Sequence, residues 1–276
     1  MQENETIRFL ELLEGIQDRK WGAEIRVQHI YSLANWKTTH SSLPPPSNQE
    51  TQQAAHLLVN LLTDSTEEAA IREAAAHTMY FFSDEPTILL RILTMIKELR
   101  EDWLRIPLVN AANNSPRLTY SQVADAMITL LKNVKETPAL RAEAAHTIGM
   151  MYGVRGPSRI AKALLPSLQD PSLEVRFYTC YALSQLGCRR VIPALMRLTN
   201  DFSISENKNY LTGQWSLAQE ARWAVACLTA RGNAGDPTDE IYQSPQWQDY
   251  VLSLKAKRRN RRKQPSRQKQ KNNRIS

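Results

Sequence analysis

The sequence predicts an all-α fold, a right-handed α-α superhelix of about five to six stacked helix pairs. Three observations carry this expectation. First, IREAAAHTM from Ile71, LRAEAAHTI from Leu140 and VRFYTCYAL from Val175 read almost alike at helical spacing. Second, an aliphatic residue followed by arginine recurs from Ile25-Arg26 through Ile71, Leu104, Leu140, Val175 and Ala221, at intervals of 46, 33, 36, 35 and 46 residues. Third, no run alternates apolar and polar residues with the period of two that a half-buried strand requires.

The elements follow in order. An N-terminal capping helix is predicted near residues 3–18, then pairs at 21–37 with 50–63, 67–82 with 86–99, and 102–112 with 119–132. The pattern continues with 138–152 paired to 157–168, 172–186 to 189–199, a helix at 214–230 and a last one near 245–257. Small pairs sit four and five positions after the aliphatic anchor: Ala75 with Ala76, Ala144 with Ala145, and Thr179 with Cys180. Such faces let a second helix come close, and Met79, Ile148 and Leu183 one turn later supply apolar bulk.

Helix starts are marked by Ser47 with Glu50, Ser65 with Glu68 and Thr119 with Gln122, which have capping-box spacing. Thr137-Pro138, Asp170-Pro171 and Ser244-Pro245 place a capping side chain before a proline at the first helical position. Two loop insertions interrupt the array, a proline-rich one at 38–48 and a polar one at 200–213, and they account for the two long repeat intervals. The solenoid is therefore expected to occupy residues 1–250, with a basic tail at 251–276.

The run DPSLEVRFYTCYALSQLGCRRVIPALMRLTND, residues 170–201, resembles a HEAT repeat of the phycobilisome-lyase type. In such repeats a helix with valine-arginine and small residues precedes an aliphatic-Pro-x-Leu helix and a closing Asp. LRAEAAHTIGMMYG from Leu140 is similar, with Gly149 and Gly153 near its C-terminal end. The resemblance implies a curved scaffold that binds proteins or, less often, nucleic acid, with the second helix of each pair lining the inner curve. Only some members of this class are enzymes.

Charge is unevenly distributed. Eleven of the 35 Lys and Arg residues lie in 251–276, which has no Asp or Glu, so the first 250 residues hold 24 basic against 28 acidic side chains. The tail has too little apolar content to bury, and it is expected to be disordered in isolation. Its Lys257, Arg258, Arg259, Arg261, Arg262 and Lys263 are candidates for contact with nucleic acid or another polyanion, through counterion release. On the helices read as second of each pair, Arg91, Lys97, Arg159, Lys162, Arg189, Arg190 and Arg197 are a candidate electropositive stripe for an acidic protein surface or phosphates.

No catalytic residue, metal site or cofactor is indicated. HEAT-like iron hydroxylases depend on His-Glu pairs as metal ligands, and none of the five histidines is followed by Glu. His77 and His146 occupy the same repeat position, which reads as a shared structural role. Cys180, Cys188 and Cys227 form no CxxC pair and favour neither a disulfide framework nor zinc. Trp103, Trp215, Trp223 and Trp247 are scattered as packing residues are. The opening residues lack a basic and apolar leader, and no segment has transmembrane length, so a cytoplasmic protein is expected, nuclear only in a eukaryote. The sequence thus predicts a non-enzymatic scaffold for a protein partner, its tail adding electrostatic tethering; the alternative is a nucleic-acid-binding HEAT-like protein using a concave basic face and the tail, and behind it a lyase-like or DNA-glycosylase-like enzyme. It leaves the oligomeric state open.

Overall fold

The computed structural model describes residues 2–38, 48–152, 157–209 and 213–230. It is an all-helical solenoid carrying one small hairpin. Twelve α-helices occur among the described residues: α1 (Gln2–Gln17), α2 (Ala23–Thr38), α3 (Asn48–Thr63), α4 (Ala69–Thr78), α5 (Pro86–Glu98) and α6 (Asp102–Ala111), then α7 (Tyr120–Lys132), α8 (Pro138–Tyr152), α9 (Ser158–Leu164), α10 (Leu173–Leu186), α11 (Ile192–Met196) and α12 (Leu217–Ala230). Several continue into a 3-10 turn, as at Met79–Phe82 after α4 and Leu165–Gln169 after α9.

Tight pairing joins α1 to α2, α3 to α4, α5 to α6, α7 to α8, α9 to α10 and α11 to α12. The frame is thus shifted by one helix from the sequence reading. The helix at 2–17 is the first member of the first pair, and each arginine-bearing helix closes a pair. The arginine helices also stack directly on one another, α2 on α4, α4 on α6, and so on to α12. In the other layer successive helices meet only lightly, α7 with α9 and the 3-10 turn after α9 with α11. The arginine helices thus form the more tightly stacked layer, termed the inner layer, and α1, α3, α5, α7, α9 and α11 form the outer one.

Close stacking follows from the small residues. Ala74, Ala75, Ala76, Ala144, Ala145, Thr179 and Cys180 are buried between neighbouring helices, and Ile71, Leu104, Leu140 and Val175 are fully buried beneath them. Gly149 lies within α8 with the Tyr181 ring against it. A Cβ there would lie 2.7 Å from Tyr181 Cε1 and 3.0 Å from Ala182 Cα, so a side chain would hold α8 and α10 apart.

The repeated arginine has a second role. Arg26 donates through Nε to the Ile16 carbonyl at the end of its own pair's first helix (2.7 Å), as Arg72 does to Leu62 (3.1 Å) and Arg105 to Ile96 (2.9 Å). Each guanidinium then reaches an acid in the next pair's turn. Arg26 meets both oxygens of Glu67 at 2.9 and 2.7 Å, Arg72 meets Glu101 at 3.0 Å, and Arg105 meets Glu136 at 2.8 and 2.9 Å. Arg141 pairs with Asp170. Arg176 donates to the Asp170 and Pro171 carbonyls and lies 3.6 Å from Asp201. Buried charges persist only when paired in this way, and the bidentate fork suits arginine and not lysine. The hydrogen bond from Arg105 holds the Glu136 carboxyl below its ordinary range, and the bond from Arg26 does the same to Glu67.

Several helix starts differ from expectation. Glu68 and Thr119 cap α4 and α7 without a side-chain hydrogen bond. At the first, Asp64 has taken the turn, accepting from the Thr66 amide and hydroxyl. At the second, the Thr119 hydroxyl donates to Pro116. Thr137 does accept from Leu140 N at 3.4 Å. Asp170 stands before the cap, accepting from Ser172 N, and Ser172 is the capping residue. A reciprocal capping box forms at Ser216 with Gln219, where the sequence reading placed none.

The polar segment read as a loop at 200–213 contains β1 (Ile204–Asn209), antiparallel to β2 (Gly213–Ser216). The helix expected from 214 therefore opens at Leu217. Residues 39–47 of the proline-rich loop, Ser47 and Ser244 as caps, the helix near 245–257 and the tail at 251–276 lie outside the described residues.

Candidate binding surface

The shift in pairing relocates the predicted basic stripe. Arg91, Lys97, Arg159, Lys162, Arg189, Arg190 and Arg197 belong to the outer layer, that of α5, α9 and α11, and all seven are exposed. Two are engaged. Arg159 donates to Asp125 at 2.7 Å and to Ser121 at 3.2 Å, and Arg189 donates to the Leu228 and Thr229 carbonyls at the end of α12. The latter is a C-terminal cap, where a cation meets both the open carbonyls and the helix dipole. Arg91, Lys97, Lys162, Arg190 and Arg197 make no ion pair among the described residues. The six candidates from Lys257 to Lys263 lie outside them.

The inner layer has a different surface. Its arginines are turned into the turns between pairs, and Lys37 lies 3.5 Å from Asp84. Glu24 and Glu73 are exposed on this layer, and Glu143 is half-buried. The position five residues after the first five of these arginines carries Tyr31 and His77, both exposed, and Asn110, His146 and Tyr181, all half-buried; after Arg222 it is the buried Cys227.

From α6 to α10 these side chains join. Glu143 Oε1 accepts from Asn110 Nδ2 at 2.9 Å and lies 3.2 Å from His146 Nδ1. The His146 ring packs between two tyrosines, its centroid 5.0 Å from Tyr178 and 5.5 Å from Tyr181. The Tyr181 hydroxyl donates to Met150 Sδ at 3.0 Å, and burial pushes that phenol's pKa up. At the other end, Asn113 Nδ2 reaches Asn110 Oδ1 at 3.5 Å, and Asn114 Nδ2 donates to the Tyr80 carbonyl at 3.1 Å. The result is a strip of amides, one carboxylate and three rings across α6, α8 and α10. Half-buried tyrosine and asparagine of this kind combine large contact area with adaptable hydrogen bonding.

The remaining candidates are accounted for by packing. Trp103 lies under the Arg72 guanidinium at 5.5 Å, and Trp223 packs on the core. The Trp215 side chain and Trp247 lie outside the described residues. The three cysteines are free thiols, with Cys180 and Cys227 buried. Among the described residues no group of His, Cys, Asp and Glu could hold a metal, and no helix is long and apolar enough to cross a membrane.

Comparison with known proteins agrees with this architecture. Importin beta shares 12% identity over 80% of this chain and 31% of its own, with a TM-score of 0.52. An engineered protein shares 16% identity over 80% of this chain and 96% of its own, at a TM-score of 0.48. A designed armadillo repeat protein, solved with the peptide (KR)4, shares 13% identity over 79% and 98%, at 0.47. No curated protein matches the sequence. Residues 124–206, spanning most of α7 through the start of β1, match the family model for HEAT repeats. The chain is an α-α solenoid in which residues 124–206 are similar to HEAT repeats.

Proposed function

We propose that this protein is a non-enzymatic binding scaffold whose inner layer takes a polypeptide partner along the Asn110–Glu143–His146–Tyr178–Tyr181 strip. The single observation behind this reading is the continuity of that strip across α6, α8 and α10, where Asn110 bonds Glu143 at 2.9 Å and the His146 ring lies 5.0 and 5.5 Å from Tyr178 and Tyr181. An extended peptide offers backbone groups to the amides and side chains to the rings at comparable intervals. The likeness of 170–201 to phycobilisome-lyase-type repeats supports a scaffold and transfers no catalytic residue.

The test uses the full chain with Arg258, Arg259, Arg261 and Arg262 each replaced by Ser, which removes non-specific electrostatic capture. Random peptides displayed on phage are panned against it, and enriched sequences are re-measured on the His146→Ala/Tyr181→Ala variant. Enrichment that the double variant loses, with helical circular dichroism unchanged, is the expected outcome. Absence of enrichment, or peptides indifferent to both substitutions, would reject the strip as a binding site.

A second reading rests on the eleven basic tail residues and the unpaired outer cations Arg91, Lys97, Lys162, Arg190 and Arg197. It makes the outer side a contact for nucleic acid. It requires RNA or DNA affinity that falls steeply between low and physiological salt. No mobility shift at low salt would end it.

A further inference from the structure

We propose that the chain's own segment 255–263, KAKRRNRRK, docks in cis on the Glu143–His146–Tyr178–Tyr181 strip and covers it until a partner or a polyanion draws it away. This rests on the strip being a binding face, as proposed above, and adds a regulator to it.

Charge sorting is the first argument. The arginines on the first five inner helices are committed to the Glu67, Glu101, Glu136, Asp170 and Asp201 links, and Lys37 is paired with Asp84. The inner layer leaves Glu24 and Glu73 exposed, and in the strip itself the half-buried Glu143, held through Oε1 by Asn110 and His146, lies beside aromatic faces. That combination fits arginine, whose guanidinium pairs with carboxylates and stacks on rings. Seven of the nine residues in 255–263 are Lys or Arg.

Reach is the second argument. Helix α12 ends at Ala230, leaving 24 residues before Lys255. Such a length spans at most about 80 Å. From α12 to α8 is two helix steps, about 20 Å. The segment therefore reaches the strip with chain to spare, and tethering gives it a local concentration that can reach the millimolar range.

Fluorescence anisotropy of a labelled peptide with the sequence of residues 251–267, at low salt, tests the proposal on full-length protein. The expected result is binding about tenfold tighter to the Arg258→Ser/Arg259→Ser/Arg261→Ser/Arg262→Ser chain than to the unaltered one, because the cis segment no longer competes. Adding Glu143→Gln and Tyr181→Ala to the neutralised chain is expected to weaken the peptide about tenfold. Equal affinity for both chains, or no effect of the strip substitutions, overturns the proposal. So does concentration-dependent dimerisation of the unaltered chain in sedimentation that the neutralised chain lacks, since the segment then serves a second copy. Phage panning on the neutralised chain reports on the strip as a partner site independently. Failure there with a clear anisotropy difference rejects the partner and keeps the cis contact, and the reverse pattern does the opposite.

Discussion

Glu220 has no room to ionise. It is buried in α12 against α10, its Oε1 has no hydrogen-bond partner, and burial pushes its pKa from 4.5 up to about 8. The folded chain therefore holds a proton there that the unfolded chain releases above about pH 4.5. The contribution to stability is intact below that value and is lost as pH rises through about 8. Wild-type unfolding free energy should fall by up to about 3 kcal/mol between pH 5 and 8, at up to 1.4 kcal/mol per unit. Glu220→Gln should flatten that slope in urea titrations, and an unchanged slope would assign it elsewhere. Gly149 makes a separate demand, since any side chain meets the Tyr181 ring and the Ala182 backbone. Gly149→Ala should cost about 1–3 kcal/mol through overpacking, read as a lower urea midpoint.

At the level of helices and turns, the arginine links hold neighbouring pairs in register. Arg105→Ala would leave Glu136 and the Ile96 carbonyl without their donor, at a cost of about 3–5 kcal/mol. Arg105→Lys should recover less than half of that loss, because an ammonium cannot meet two oxygens and a carbonyl in one plane. A lysine variant as stable as wild type would contradict the geometry. The sequence announced these arginines as repeat marks, and most helix boundaries fell within a few residues of their places. It did not announce the pairing, because either neighbour of an amphipathic helix satisfies the same apolar pattern. That one-helix shift carried the basic stripe from the expected inner curve to the outer layer. The β1–β2 hairpin was illegible for a different reason: ISENKN lacks the alternating apolar residues that mark a strand. The strip had one available signal, the position five after each arginine. His77 and His146 share that position, but Asn110 and Tyr181 have no chemistry in common with them that spacing alone could connect.

Across the described residues each pair packs chiefly on its neighbours, so stability accumulates along the stack and a local loss stays largely local. The arginine links all lie in the turns of the pairs, while the rest of each interface combines side-chain packing with scattered hydrogen bonds such as Ser83 to the Ala111 carbonyl and Thr147 to the Val109 carbonyl. That arrangement behaves as a bound spine with more lightly stitched pages. Bending is expected to fan the free margin and leave the spine length unchanged. Because arginine holds the carboxyls of Glu67 and Glu136 below their ordinary range, the spine should survive mild acid and part only as pH falls through those lowered values. Small-angle scattering down a pH series would show the particle lengthening at that point, and lengthening already near pH 5 would mean that the bindings are not ionic. The distance between His146 and Tyr181, which sit on adjacent pages, then becomes the quantity that flexing adjusts.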